Sequence, residues 1–217
     1  ADLIDGLLAG AERLDEIIES MLDVAKIDTH ALELRMQRIS LHGIIQKVCR
    51  QADAKLQTRK QTLTCKRLKE LPKVQGDAKS LEKVFSHLLQ NAIKYTPDEG
   101  EIIISGRQIS DSSDVYDREG VEIIVNDTGI GVDSKLQKEI FSLFYERENV
   151  NLHSSGKSKF KGGGVGLGLS VVQGVVDAHG GRVWVESPGR DEEKFPGSSF
   201  HVILPLRQKR YDTKSLS

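Results

Sequence analysis

The chain has 217 residues, of which 38% are hydrophobic and 29% charged, a composition typical of a globular protein with a sizeable core. Its 31 Lys and Arg residues nearly balance its 32 Asp and Glu residues, so the net charge of −1 gives no bulk attraction for nucleic acid or an anionic membrane. Short apolar runs, the lack of a signal-peptide pattern and only two cysteines exclude a bilayer span, a disulfide framework and a Cys-based zinc site, and predict a cytoplasmic, reducing location.

The first predicted element is a long amphipathic helix over residues 1–27. Apolar residues recur every three or four positions from Leu3 to Val24, and a second apolar row widens the stripe beyond that of a two-stranded coiled coil. This pattern favours oligomerisation in a helical bundle, with an ordinary docking helix as the alternative. Because no capping signal precedes the helix, we expect the sequence to be part of a longer protein.

The rest of the chain alternates helical and strand patterns after a mixed segment over residues 30–40. Residues 145–164 show no pattern, which is typical of a mobile functional lid. The elements predict an open sheet covered by helices. The predicted helices cover residues 41–59, 77–95, 134–144 and 166–179, and the predicted strands cover residues 62–67, 101–109, 121–126, 182–186 and 199–205.

Two glycine clusters adjoin predicted elements. Asp127 ends a strand rich in Val and Ile, and Gly129 and Gly131 follow it, so the sequence predicts a carboxylate acceptor at the mouth of a pocket, although this pattern is also common in ordinary turns. Residues 162–168 precede an apolar-periodic helix, where free N–H groups and the helix dipole favour phosphate binding over a plain hinge. Their spacing does not match the dinucleotide fingerprint, and residues 156–158 imitate only the end of a P-loop, with Asn151 in the place of its first glycine.

Four polar side chains fall on one face of the predicted helix over residues 77–95. They are His87, Asn91, Lys94 and Tyr95. Such a row is costly to bury without a purpose, and it provides a neutral oxygen for Mg²⁺ and a cation for phosphate. The row therefore indicates a binding site rather than a solvated face.

In this order the motifs resemble those of the ATP-binding domain of sensor histidine protein kinases, in the superfamily shared with DNA gyrase and the heat-shock chaperone ATPases. HLLQNAIKY resembles the N box, DTGIG the first glycine box, FSLF the F box, GGGVGLGLS the second glycine box and GSSF the closing strand motif. The match runs from about residue 40 to residue 206. Residues 1–27 resemble the second helix of the family's dimerisation and phosphotransfer hairpin.

The resemblance implies an α+β two-layer sandwich of the Bergerat type, with helices on one face of a mixed β-sheet and a long helix before it. It divides the chain into part of the hairpin (1–29), a linker (30–40), the catalytic ATP-binding domain (41–207) and a flexible tail (208–217). The family acts with ATP and Mg²⁺, and its members can be anchored in a membrane outside this domain.

For the adenine side, the resemblance implies that Asp127 accepts a hydrogen bond from the adenine amino group. Gly129 and Gly131 would let the backbone lie against the base, and Ser199 would reach it through water. Phe141 is hydrophobic, which suits either packing in the core or a switching role.

For the phosphate side, the resemblance implies that Asn91 is catalytic and holds Mg²⁺, with Lys94 and Tyr95 lining the phosphates and ribose. Residues 145–163 would form the lid, tethered by Phe144. The phosphates would meet backbone amides of the second glycine box, formed by Gly164, Val165, Gly166, Leu167 and Gly168.

Two positions depart from the family's pattern. His87 stands where these kinases usually have Asn and the hydrolysing relatives have Glu, so a metal ligand, a weak base and a simple hydrogen-bonding group all stay open. Glu146 stands where the family often has an arginine, with Arg147 next to it. A lid cation could instead come from Lys157, Lys159 or Lys161.

None of the six histidines is followed by the acidic residue and the proline that mark the family's phosphoacceptor. We therefore predict a fragment that binds ATP but does not autophosphorylate, and whose γ-phosphoryl passes to a histidine elsewhere and then to a response regulator aspartate. The parent would form a homodimer through the N-terminal helix, without nucleic-acid contact or direct membrane contact by this fragment. An ATP hydrolase and a non-catalytic nucleotide-sensing module are the alternatives.

Overall fold

The computed structural model describes residues 2–110, 119–142 and 166–207. Within these ranges no helix combines the length and the apolar composition that a membrane crossing requires. The helices are α1 (Asp2–Asp28), α2 (Leu41–Thr58), α3 (Ala78–Tyr95) and α4 (Gly168–Ala178), and the strands are β1 (Gln37–Ile39), β2 (Thr62–Lys66), β3 (Val74–Gly76), β4 (Glu101–Ile109), β5 (Gly120–Asp127), β6 (Arg182–Glu186) and β7 (Ser198–Pro205).

Five strands form the main sheet in the order β2-β4-β5-β7-β6. The β2–β4 pair is parallel and the other pairs are antiparallel, so the sheet is mixed. Alternate residues of β5, such as Ile123 and Val125, share one hydrophobic core with α2, α3 and α4. The predicted two-layer sandwich, with a long helix before it, is confirmed.

Helix α3 is fixed at both ends. At its start, the Asp77 side chain accepts a hydrogen bond from the Ser80 N–H at 2.7 Å, which is the N-cap that favours a helix beginning here. At its end, the buried guanidinium of Arg59 donates to the carbonyl oxygens of Ile93 and Thr96, both at 2.8 Å. These bonds satisfy carbonyl groups that a helix end leaves unpaired, and they hold the turn that carries the polar row.

The segment predicted as a linker contributes a strand. Residues 37–39 form β1, which pairs antiparallel with β3, and the N–H of Arg35 donates to the Asp77 carboxylate at 3.1 Å. Both strands have three residues, too few for a period-2 pattern to be recognised in the sequence.

The helix predicted over residues 134–144 does not form in the part that the structure describes. Residues 134–141 make successive turns, with bonds such as Leu136 N–H to Asp133 O at 2.9 Å. The apolar spacing reflects tertiary packing instead, because Ile140 and Phe141 are buried and the Phe141 ring meets Phe200 edge-on at 6.3 Å between centroids. Phe144 lies outside the described residues.

Helix α1 contacts the domain with its C-terminal part. The Asp23 carboxylate pairs with the Lys83 ammonium of α3 at 2.5 Å, and Ile27 packs so closely on Gly174 of α4 that a Cβ there would lie 2.4 Å from the Ile27 Cγ2. An apolar stripe on the same helix is left exposed by 48–61%, formed by Leu14, Ile18, Met21 and Leu22. One helix therefore both docks and presents an apolar surface.

Candidate nucleotide-binding site

A cavity of about 480 Å³ lies between α3, the end of β5 and the start of α4. Its volume falls within the range of small-molecule and cofactor pockets. Nine of the predicted site residues line it: His87, Asn91, Lys94, Tyr95, Asp127, Gly131, Gly166, Leu167 and Gly168. Three separate sequence motifs thus meet at one place in the fold.

Asp127 is the last residue of β5 and is only 8% exposed. Its Oδ1 accepts a hydrogen bond from the Gly129 N–H at 2.9 Å. Burial raises the pKa of this carboxyl group to about 7, while hydrogen bonds from the backbone N–H groups of Gly129 and Ser198 act in the opposite direction. The group therefore changes its charge near neutral pH.

Gly129 packs against the end of α3. It does not line the cavity, and a Cβ at this position would lie 2.5 Å from the Tyr95 carbonyl oxygen. The Ile130 N–H donates to the same oxygen at 3.2 Å. The missing side chain at Gly129 thus lets the turn after β5 pack on the end of α3, which brings Asp127 and Tyr95 together.

The serine beside the cavity is Ser198, not the predicted Ser199. Successive residues of a strand point to opposite faces, and Ser198 and Phe200 line the cavity while Ser199 does not. The strand begins at Ser198, one residue earlier than predicted. Because side chains alternate between the two faces of a strand, the sequence identifies Ser198 only if the face that points to the cavity is already known.

The polar row on α3 faces the cavity as predicted from its spacing. The Lys94 Nζ lies 4.6 Å from the centre of the Tyr95 ring, and Asn91 lies one turn before them. The described residues contain no group of three or more His, Cys, Asp or Glu side chains that could hold a metal ion. The Asn91 oxygen suits Mg²⁺ only as one ligand of several, the others being phosphate and water oxygens, and this is a common form of magnesium site.

His87 lies where α3 meets the start of α4. A Cβ on Gly168 would approach its Nδ1 to 3.1 Å, so the glycine lets the two helices meet at this imidazole. Burial lowers the pKa of His87 to about 4, with the Lys83 charge adding to the shift and the Asp23 charge opposing it. The imidazole is thus neutral and a weak base at pH 7.

The start of α4 forms the other end of the cavity. Gly166 has a φ of 74°, which is unfavourable for other residues, and the chain then enters α4 at Gly168. Leu167, in the N-cap position, gives no side-chain cap to the N–H groups of the first turn. Such groups favour an anion. Gly164, Val165 and the predicted lid lie outside the described residues.

The sequence reasoning missed an apolar wall, a cation and one side of the cavity. The cation is Arg190, which lines the cavity. It lies in a loop without a recognisable motif, so no pattern in the sequence points to it. Part of α1 also lines the cavity, although its polar residues have the pattern of an ordinary solvated helix face. The apolar wall consists of Ile130, Val132, Leu136, Ile140 and Phe200, and the α1 side consists of Glu16, Ile17, Glu19, Ser20 and Asp23.

Comparison with known families gives a match over residues 76–208 to the family described as histidine kinase-, DNA gyrase B- and HSP90-like ATPases. This range is more than half of the chain and contains every cavity-lining motif. The chain belongs to this family. The resemblance to the ATP-binding domain of sensor histidine kinases is confirmed by its relatives.

Among these relatives, the chain is 31% identical over 207 residues to the adaptive-response sensory kinase SasA of a Synechococcus species, covering 94% of this chain and 48% of that protein. It is also 28% identical to SasA of a Synechocystis species, covering 89% of this chain and 45% of that protein. The sensor protein DivL of Caulobacter vibrioides is 31% identical, with 93% and 23% covered. The chain spans half or less of the length of these relatives.

Solved structures share the fold. The full-length kinase ShkA in complex with AMPPNP superposes with a TM-score of 0.75 at 21% identity, over 96% of this chain and 39% of that one. The histidine kinase ThkA in complex with the response regulator TrrA gives a TM-score of 0.65 at 22% identity, over 94% and 51%.

Proposed function

We propose that this chain is the catalytic part of a sensor histidine kinase, which binds Mg²⁺-ATP and transfers the γ-phosphoryl group to a histidine outside the chain. The observation that carries the proposal is the convergence of Asp127, Asn91 and the start of α4 on one cavity. The family match and the AMPPNP complex of the structural relative ShkA support a nucleotide as the ligand.

The adenine end of the site is Asp127. An ionised carboxylate accepts hydrogen bonds but donates none, so it suits the exocyclic amino group of adenine and disfavours the carbonyl oxygen of guanine at the same place. The buried surroundings exclude water, which strengthens such a bond and makes a mismatch costly. The apolar wall of the cavity provides the surface for the base.

The phosphate end is formed by Asn91, Lys94 and the N–H groups at the start of α4. Lys94 brings positive charge, and the Asn91 amide oxygen would hold Mg²⁺ together with phosphate oxygens. Mg²⁺ neutralises charge that develops on the transferred group. Because phosphoryl transfer has a loose transition state, positioning and charge neutralisation are the domain's main contributions.

The partners follow from the same assignment. The exposed apolar stripe on α1 would pair with a second copy of the parent protein, as the family's hairpin does, while the docked end of α1 keeps the catalytic domain beside that hairpin. The phosphoryl group would pass from the acceptor histidine to an aspartate of a receiver domain. The complex of the structural relative ThkA with the response regulator TrrA supports a partner of this kind.

A reconstituted transfer reaction tests the proposal. The chain is mixed with a hairpin domain that carries an acceptor histidine, Mg²⁺ and γ-labelled ATP, and phosphohistidine is measured as acid-labile, base-stable label. We expect label on the hairpin with the wild type, and at least about a tenfold loss with Asn91→Ala. Ser199→Ala, outside the cavity, is the matched control.

Tight ATP binding without any phosphohistidine would contradict kinase activity and favour the nucleotide-sensing module. Steady phosphate release without an acceptor would favour the hydrolase. His87 lines the cavity, which is the observation in favour of hydrolysis. However, its pKa of about 4 makes the imidazole a poor general base at neutral pH.

A further inference from the structure

The two cysteines meet on the side of the domain where α2 packs on the edge of the sheet. Cys49 lies in the middle of α2 and Cys65 in β2, and their sulfur atoms are 3.7 Å apart. Both are free thiols, and Cys65 is exposed while Cys49 is partly buried against the core. Neither residue lines the cavity, so the function proposed above does not explain their proximity.

We propose that Cys49 and Cys65 form a redox-modification site, in which a peroxide converts the two thiols into a reversible intramolecular disulfide. A disulfide needs a sulfur–sulfur distance of about 2.05 Å, so the atoms must approach by less than 2 Å from 3.7 Å. Side-chain rotation at the exposed Cys65 can provide much of this movement. A single reversible bond is compatible with a reducing compartment, unlike a structural disulfide framework.

The two thiols are chemically unequal. The hydrogen bond between the two sulfur atoms lowers the pKa of Cys65 to about 7, although partial burial acts in the opposite direction. The same bond, together with burial, raises the pKa of Cys49 well above its usual range. Cys65 is also the exposed member of the pair, so a peroxide reaches it first. We therefore assign Cys65 as the nucleophilic thiolate and Cys49 as the neighbouring thiol that resolves its oxidised form.

The reaction balances in two steps. The Cys65 thiolate attacks one oxygen of hydrogen peroxide, the O–O bond breaks, and a sulfenic acid forms with release of hydroxide, which takes up a proton to give water. The Cys49 sulfur then attacks the Cys65 sulfur, the S–O bond breaks, and the Cys49 proton leaves with the hydroxide as a second water. Two thiols are oxidised and one peroxide is reduced.

The bond would connect the helical layer to the sheet. Helix α2 is already joined to α3 by the ion pair of Lys47 with Glu82 at 2.7 Å, and β2 is joined to β4 by its parallel ladder. A covalent link at Cys49 and Cys65 closes a short loop of chain and restricts the unfolded state. Oxidation should therefore raise the thermal midpoint of unfolding.

The test uses the reduced chain, freed of reductant and treated with a small excess of hydrogen peroxide. We expect the intact mass to fall by about 2 Da for the two hydrogens lost, iodoacetamide to label neither cysteine, and dithiothreitol to restore both thiols. The oxidised chain should unfold about 5 °C higher than the reduced chain. Gain of oxygen without loss of the two hydrogens, or disulfide-linked dimers in place of the internal bond, would overturn the proposal.

Two matched variants test the division of roles. Cys49→Ser should stop at the sulfenic acid of Cys65, which dimedone traps, and its thermal midpoint should not rise with peroxide. Cys65→Ser should react at least about tenfold more slowly and give no dimedone adduct in the same time. If Cys49 in Cys65→Ser reacts with peroxide as fast as the wild type does and is labelled by dimedone, the assigned roles are contradicted. The mass measurement on the wild type tests the disulfide whether or not either variant folds.

Discussion

Asp127 and His87 lie at different ends of one cavity, and burial removes charge from both. It raises the pKa of the carboxyl group to about 7 and lowers the pKa of the imidazole to about 4. The cause is the same, because a poorly solvated site penalises whichever form is charged. The outcomes differ, since one group titrates near the physiological pH and the other stays neutral well below it.

The difference indicates which group can recognise a ligand. Asp127 receives two backbone N–H donors, which keep the ionised form accessible when a further donor arrives with the ligand. His87 is held between α3 and α4 beside Gly168 and keeps one protonation state throughout the neutral range. We therefore expect Asp127 to control affinity and its pH dependence, and His87 to act mainly through shape.

The largest expected effect comes from replacing the acceptor. Asp127→Asn places an amide at the adenine end, which weakens the hydrogen bond from the base, and we expect a loss of about 1.5–3 kcal/mol in ATP binding free energy, or roughly tenfold to 150-fold in affinity. Isothermal titration calorimetry measures it, with Ser199→Ala as the control outside the cavity. An unchanged dissociation constant for Asp127→Asn would remove the adenine assignment.

The next effect concerns the other polar end. Asn91→Ala removes the amide oxygen assigned to Mg²⁺, so the affinity gained on adding Mg²⁺ should fall by about tenfold while Mg²⁺-free binding changes little. ATP titrations in the presence of Mg²⁺ and in the presence of a chelator measure the affinity under each condition. Gln57→Ala, which removes an exposed amide on α2 that does not line the cavity, is the control. A full Mg²⁺-dependent gain in Asn91→Ala would contradict the assignment.

The pH dependence of binding follows from the pKa of Asp127. Because the pKa is about 7, the ionised carboxylate is abundant at pH 8 and scarce at pH 6. ATP affinity should therefore fall by about tenfold when the pH is lowered from 8 to 6. The ATP phosphates titrate in the same range, so Asp127→Asn is the reference in which only their contribution remains. Parallel profiles for wild type and variant would show that Asp127 does not control binding.

The same shift has the opposite consequence for the stability of the free protein. In the folded state Asp127 keeps its proton up to about pH 7, whereas the pKa of an ordinary aspartate, as in the unfolded chain, is 3.8. The folded state therefore binds more protons between these two values, and stability falls as the pH rises through this range. The Asp127→Asn variant has no carboxyl group to ionise, so it should be more stable than the wild type at pH 8 by up to about 4 kcal/mol, with the difference closing near pH 4. Urea unfolding at both pH values measures it.

The smallest effect is expected at His87. His87→Asn keeps a polar group of similar size and removes an imidazole that is neutral at pH 7, so ATP affinity should change by less than about threefold. Any slow background release of phosphate without an acceptor should be equally unaffected. A loss of tenfold or more in that release would show that the imidazole acts on the reacting group, in favour of an ATP hydrolase.

The sequence was sufficient where local chemistry determines local structure. The Asp77 cap and the spacing of the polar row predicted α3 and its inward face, and the position of Asp127 after an apolar strand predicted its place at the cavity. Each of these signals lies within a few residues of the feature it predicts.

The predictions failed where distant packing decides. Residues 134–141 have helical spacing, yet they form turns, and their last residue, Phe141, packs against the distant Phe200. Gly129 lies against the Tyr95 backbone, and Ser198 replaces Ser199, for reasons that depend on which elements meet. The contact of Asp23 with Lys83 places α1 beside the cavity, and no pattern within α1 specifies that neighbour.

Nucleotide preference is the most direct test of the claim that Asp127 recognises the base. Competition of ATP and GTP for the same site should give the wild type at least about tenfold tighter ATP binding, since guanine presents a carbonyl oxygen where adenine presents its amino group. In Asp127→Asn that preference should disappear while residual binding through the phosphates persists. Equal affinities in the wild type, or a preference that survives in the variant, would contradict adenine recognition by this carboxylate.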